Sequence, residues 1–435
     1  MKLLHMSDSH IGGTVTAGTG RGRGHNRYQD FAAVLAEVVG IAQEAQPDLI
    51  LHTGDLFDRQ VPSPEDFALG VRSMVELSAI APTVVVRGNH DSPLLFQTLD
   101  DMAAFNTRDG VPALRFVAQA RPSADGGILD YPARGGQRIR LAALPFVHRN
   151  RAVEGFDRPQ SATLAFADYL RDIQADLAAG LRDGYDPAAD VLIFAAHMYV
   201  ESALPDYSER RLDIASDYAS ATAALPAVAY AALGHIHKPQ AISRPGLTAR
   251  YAGSLLQMDF GEITDSQPQQ KSVVIIDANP DRPPKINVRP LREGRKLITF
   301  TGDLDTLARQ APLIGDAFVK AYIDVPDSSP GLAATVVELI PDATLVEVQP
   351  RLPGWDEQRE LPELDHATAP EPDLPDLFAE YLANTKTIPE QAVLLGGTFT
   401  ELLTQSRPDA DLVTDPVETL LRTAIASPDP APTAP

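Results

Sequence analysis

Five short apolar runs in this 435-residue chain each end at residues able to hold a metal ion or move a proton. "KLLHM" leads to "SDSH", "DLILHT" to "GDLFD", "TVVVR" to "GNHD", "VLIFAA" to His197 and "AYAAL" to "GHIH". Runs of this length, often β-branched and separated by helical stretches, read as buried strands of a layered α/β domain. Strand ends of such a domain meet at one sheet edge, so loops there converge on one site however far apart their residues lie in sequence. Gly54, Gly88 and Gly234 each precede a candidate ligand, where the backbone turns sharply on leaving a strand. Between the first two runs, "YQDFAAVLAEVVGIAQEA" carries apolar residues at helical spacing and is followed by Pro47, which predicts a helix.

The donors so placed are Asp8, His10, Asp55, Asn89, His197, His235 and His237. They suffice for two ions if one carboxylate bridges, and Asp55 is the expected bridge. The chain has no cysteine, so neither disulfide nor thiolate site exists and oxygen and imidazole must do all the binding. That set suits Mn²⁺, Fe²⁺ or Zn²⁺, and two such ions roughly 3.5–4 Å apart clamp a phosphate for in-line displacement. His90 follows Asn89, where it can protonate a leaving alkoxide or stabilise a charged transition state; Asp91 is expected to hydrogen-bond His90 and orient its ring. Each motif alone is ordinary turn chemistry, and the argument rests on their fixed order at strand ends. His5 and His52 lie inside strands and read as structural, and His366 falls in a linker.

A net charge of -22 argues against a protein that coats nucleic acid. The acidity is uneven: residues 1–260 hold 23 Lys+Arg against 30 Asp+Glu, and residues 261–435 hold 14 against 29. Arg21, Arg23, His25 and Arg27 crowd the stretch "GTGRGRGHNR", and Arg134, Arg138, Arg140, Arg149 and Arg151 form a second basic zone. Arg21, Arg23, His25, Arg27 and His148 are therefore candidates for phosphate contact, with a solvated loop as the alternative for the Arg-Gly run. A basic leader followed by an apolar run is not seen at the N-terminus, nor is any stretch of about 18 apolar residues, so a cytoplasmic location without a membrane span is expected.

The length exceeds what one core serves, and two or three domains are expected. Residues 1–285 form the first, ending in the turn-rich "NPDRPPKINVRP". Residues 294–352 alternate strand and helix as a small α+β module. An acidic, Pro-rich linker at 353–375, helices at 376–426 and a disordered tail at 427–435 follow.

"SDSHIG", "GDLFDR", "GNHDS" and "GHIHKPQ" resemble the calcineurin-like metallophosphoesterase superfamily. "GHIHKPQ" followed by "RYAGSLLQMDFGE" and "KSVVIID" looks more finely like its SbcD-type nuclease subunits. The resemblance implies a layered α/β/β/α sandwich with a small capping domain at the 294–352 module and C-terminal helices that grip a partner. It implies one ion on Asp8, His10, Asp55 and His237, a second on Asp55, Asn89, His197 and His235, and His90 as the catalytic histidine that binds neither. Mn²⁺ is the implied ion, with Mg²⁺, Fe²⁺ or Zn²⁺ as substitutes. A homodimer, an SbcC-like ABC ATPase with a long coiled coil, and DNA ends as substrate follow from the same resemblance. So do exonuclease action on double-stranded ends and endonuclease action on single strands and hairpins, on the nucleoid. Ser9 stands in place of a bulkier residue, and Asp58 stands where some relatives carry a phosphate-contacting His, which makes it a further phosphate-side candidate. Two other readings stay open: a phosphodiesterase or phosphatase acting on small nucleotides or phosphoproteins, and a chain that mainly caps and dimerises the ATPase.

Overall fold

The computed structural model describes residues 1–16, 24–108, 110–148, 164–205, 219–264, 267–280, 282–326 and 331–352, with isolated positions between 378 and 399. Strands β1 (Lys2–Met6), β2 (Leu49–His52), β3 (Thr83–Val86) and β4 (Leu114–Val117) lie side by side and parallel. Helices α1 (Tyr28–Ala45), α2 (Pro64–Ile80) and α3 (Pro93–Ala103) alternate with them. Ser63 and Ser92 start α2 and α3 by accepting the amides of Asp66 and Leu95, each with a proline directly after, where the missing N–H is not needed.

A second sheet follows, built from β5 (Ile128–Pro132), β6 (Arg138–Leu144), β7 (Asp190–His197), β8 (Tyr230–Gly234), β9 (Gln240–Arg244) and β10 (Leu247–Tyr251). Its order is β9-β10-β8-β7-β6-β5, with β6, β7, β8 and β10 parallel. Helix α4 (Leu164–Arg182) packs on its outer face. The chain then returns to the first sheet: β11 (Ser272–Asn279) runs antiparallel beside β1, and β12 (Arg282–Pro290) forms the edge.

Alternating side chains make this a four-layer α/β/β/α sandwich. Leu3, Leu49, Leu51, Val84 and Val86 meet Ile139, Leu141, Val191, Ile193 and Ala195 between the sheets. Their neighbours Leu4, Met6, Ile50 and Val85 face α1 to α3, while Leu144, Leu192, Phe194 and Ala196 face α4. Burial on both faces is why the strands read as unbroken apolar runs.

A smaller unit follows: β13 (Leu297–Gly302), α5 (Leu304–Ile314), β14 (Phe318–Asp324), α6 (Leu332–Leu339) and β15 (Thr344–Arg351). Its three strands are parallel and enclose a core of Phe300, Leu307, Val319, Ile323, Val336 and Ile340. The stretch expected to be a boundary at 285 is β12, which pairs with β11 as far as Pro290. Pro283, Pro284 and Pro290 are tolerated because an edge strand leaves one row of backbone groups unpaired.

Residues 1–353 form one compact unit and 354–435 a second. The expected linker at 353–375 and tail at 427–435 lie outside the described residues. So does most of the helical stretch 376–426, where Phe378 stacks on Phe399 with ring centroids 4.2 Å apart. Among the described residues, no helix is long and apolar enough to cross a membrane.

Candidate metal centre

Parallel strands bring every candidate donor to one end of the sandwich. Asp8 and His10 follow β1, Asp55 follows β2 and Asn89 follows β3; His197 ends β7, and His235 and His237 follow β8. Register keeps the ends level, with His197 of β7 paired to Gly234 of β8. Asp8, His10, Asp55 and His235 all adopt left-handed backbone, with φ of 49°, 45°, 53° and 102°. Side chains seldom adopt that region, so the surroundings must impose it. They do so through backbone bonds between the two loops: Asp8 N donates to Gly54 O at 2.9 Å and His10 N to Asp55 O at 3.0 Å. The amide of His235 donates to the Asp8 carboxylate at 3.1 Å. Gly54, at φ 107°, leaves room for the His197 ring, and a β-carbon on Gly88 would strike the Asp55 carboxylate.

The donors gather in overlapping groups, one of which joins His10 and Asp55 to His90. One atom each from Asp8, His10 and His237 lie within 4.8 Å of one another, and so do atoms of Asp55, His197 and His235. Asp55 Oδ2 stands between them, 3.5 Å from His10 Nε2 and 3.3 Å from His197 Nε2. Asn89 Oδ1 lies 2.9 Å from His197 Nε2 and 3.0 Å from His235 Nδ1. Imidazole nitrogens face each other at 3.0 Å between His10 and His237, and at 3.2 Å between His197 and His235. Once it gives up the proton on its facing nitrogen, each ring of such a pair can offer that lone pair to a cation. The donor set thus fits two divalent ions that prefer oxygen and nitrogen.

Charge is arranged to suit. Burial works against ionising Asp55, but His197, His90 and His10 outweigh it and hold its carboxyl well below the usual range. Burial raises Asp8 to about 6 against the pull of His197. At His10 burial is overridden by Asp58, Asp55 and Asp8, which lift the imidazole to about 9. Burial, reinforced by His10 and Lys271, pushes His237 well below its ordinary value.

His10, Asp55, Asn89, His235 and His237 line a cleft of about 260 Å³ whose rim includes Thr14, Asp58, Met258 and Asp259. His90 sits in it, its ring edge-on to His10 with centroids 4.7 Å apart. His90 Nδ1 donates to the Asp58 carbonyl at 2.8 Å. A carbonyl only accepts, so Nδ1 holds a proton and Nε2 is the nitrogen left to give or take one.

Residues 1–239 match the family profile described as calcineurin-like phosphoesterase. The chain belongs to that family. It is similar to the SbcD component of the SbcCD nuclease of Bacillus subtilis strain 168, with 30% identity over 303 residues, 69% of this chain and 72% of that protein. The protein of the same description in Rhodobacter capsulatus is 30% identical over 278 residues, 60% of this chain and 64% of that one. Its namesake in Escherichia coli K12 is 29% identical over 275 residues, 61% and 63% of the two chains. As a calcineurin-like phosphoesterase the protein is a hydrolase of phosphoester bonds, from a family that uses a dimetal centre, and its His and Asp groups could bind metal.

Several expectations need correction in this calcineurin-like phosphoesterase. Asp91 does not orient His90. It is buried, and its carboxylate accepts the amides of Gly88, Leu56 and Phe57 at 2.9, 3.2 and 3.0 Å, tying the "GNHD" loop to the "GDLF" loop. Three amides at a tight bend are stronger claimants for a buried carboxylate than one ring. Burial, helped by Asp55, raises Asp91 to about 6 despite those amides. Arg27 is 2% exposed and no phosphate contact. Its guanidinium donates to the carbonyls of Gln257 and Arg295 and lies over the Phe31 and Phe318 rings, where it joins sandwich to smaller unit. The His25 ring packs 5.9 Å from Phe318. Arg138 pairs with Asp190 and Arg140 with Asp130, at the start of β6 and β7, the opposite end from the donors; Arg134 pairs with Asp48. Arg21, Arg23, Arg149 and Arg151 lie outside the described residues.

Asp58 and His148 do lie near the centre. The Asp58 carboxylate lines the cleft 3.5 Å from His10 Nδ1. His148 is exposed, 6.4 Å ring to ring from Phe146, which itself stacks on His235 at 5.8 Å. Ser9 and His52 are buried partners at 2.7 Å, and His5 bonds Tyr230 and Thr53, so both interior histidines are structural. Sequence reasoning missed Arg87. Its guanidinium donates to Ala118 O at 2.6 Å, to Gly88 O at 2.8 Å and to Phe146 O, and so holds the Asn89 loop against the second sheet. The one signal was a lone cation at the end of an otherwise apolar strand.

Proposed function

We propose that the protein is a Mn²⁺-dependent DNA nuclease subunit, working as a homodimer with an SbcC-like coiled-coil ABC ATPase in the cytoplasm to process DNA ends. The observation that carries this reading is the convergence of seven donors at one end of the sandwich, five of them lining one cleft with His90, in a chain similar to proteins described as SbcCD nuclease subunits. Asp8, His10, Asp55 and His237 would hold one ion, and Asp55, Asn89, His197 and His235 the other. When bound, the ions supply positive charge against the phosphate oxygens and the acidity that makes water a nucleophile at neutral pH. Asp55, kept anionic, would serve both ions. His90, with Nδ1–H fixed on Asp58 O, protonates the leaving oxygen from Nε2 when the ring is in its imidazolium form, and is left as the neutral Nδ1–H ring. The smaller unit caps the DNA approach, and the C-terminal helices hold the ATPase.

The test is cleavage of 3′-labelled and 5′-labelled duplex and of a hairpin, in Mn²⁺ and in Mg²⁺, by wild type and by His90→Ala. The variant should bind two ions and lose about 10²- to 10⁴-fold in rate. Normal cleavage by His90→Ala ends the role given to that ring. Rapid turnover of small phosphodiesters with DNA untouched would transfer the site to the phosphatase reading.

A further inference from the structure

Behind His237 lies an ion pair that the proposed chemistry does not use. Glu262 is fully buried and Lys271 is 4% exposed, and Lys271 Nζ is 2.7 Å from Glu262 Oε2. Removing both charges from water is unfavourable unless something requires them. Both reach His237. Its Nε2 faces His10 at 3.0 Å, so Nδ1 is the rear nitrogen, and Glu262 Oε1 stands 3.9 Å from it. Lys271 Nζ donates to the backbone carbonyl of His237 at 3.1 Å and to Gln269 Oε1 at 2.6 Å. Glu262 Oε1 is itself held by the amide of Met258 at 3.1 Å. Of this buried pair, the ammonium therefore bonds the backbone of one histidine and the carboxylate stands 3.9 Å from its ring.

We propose that Glu262 is a positioning residue for the metal centre: its carboxylate favours the proton on His237 Nδ1, which turns the Nε2 lone pair toward the ion held with Asp8 and His10. Lys271 anchors both partners. Carboxylates behind ligating histidines commonly fix tautomer and orientation in this way, and their loss weakens metal binding 10- to 100-fold. The inference rests on the dinuclear reading of the site.

The experiment is a Mn²⁺ titration of the full chain by calorimetry. Wild type should bind two ions. Glu262→Gln should weaken one of them roughly 10- to 100-fold and leave the other unchanged. His237→Ala identifies the affected ion, since it should empty the same site. Glu262→Gln/Lys271→Met leaves no charge buried, so it should melt normally yet stay weak for that ion. A double variant that binds both ions like wild type, or a Glu262→Gln protein that loses both equally or neither, overturns the proposal. Wild type that binds fewer than two ions overturns the dinuclear reading itself, and the positioning role with it.

Discussion

At the scale of single residues, the centre depends on places where a side chain is forbidden as much as on those where one is needed. Gly54 is a clear case: its φ of 107° suits glycine, and a β-carbon would meet the His197 ring. Gly54→Ala should lose the ion proposed at His197 and destabilise the protein by about 1–3 kcal/mol. Urea unfolding and a metal count would show it, and wild-type values in both would mean the loop has slack that its geometry denies. These glycines stand next to the donors, so they could be read directly. What the donors bond to could not. Asp91 adjoins His90 in the chain, yet its carboxylate turns to the amides of Leu56, Phe57 and Gly88, and His90 finds the Asp58 carbonyl 32 positions upstream. Adjacency says little about contact at a bend, where successive side chains diverge.

At the scale of elements, apolar runs marked the central strands because both faces of each sheet are buried, and α1 and the alternating smaller unit were legible from periodicity. Edge strands were not. β12 reads as a linker because its prolines and charges obey solvent on one side, and only its pairing with β11 makes it a strand. The same blindness turned Arg27 into a surface cation. Arg27→Ala should lower stability by roughly 2–4 kcal/mol, because buried carbonyls and Asp30 lose a charged donor. It should leave the salt dependence of DNA binding untouched. A shallower salt slope with unchanged melting would restore Arg27 to phosphate contact.

At the scale of the molecule, two linkages follow. Ions that bind only the folded chain stabilise it, by about 2.7 kcal/mol when present at 100 times their Kd. Melting should therefore rise with Mn²⁺ and fall with a chelator, and a melting temperature indifferent to both would remove the metal centre from the fold's energetics. His5 supplies the second. Burial, helped by His52 and Arg250, lowers its pKa to about 3, so the folded protein keeps it neutral while the unfolded chain takes up a proton below 6.5. Unfolding then binds protons between pH 6.5 and 3, and stability falls as pH drops through that window, by up to about 1.4 kcal/mol per pH unit. His5→Gln should flatten that part of the stability profile by about one proton, and an unchanged slope would show that His5 is protonated in the folded state.

The amino-acid sequence by itself determined the donors, their order and the strand ends that carry them, because a buried parallel strand and the sharp turn after it are both local consequences of composition. Only the tertiary structure decided which donors share a group, which carboxylates face a ring and which cations are buried. Those relations join residues as distant as Asp8 and His235, which the packing of one sheet on the other brings together, or Arg27 and Arg295, which meet where the sandwich joins the smaller unit.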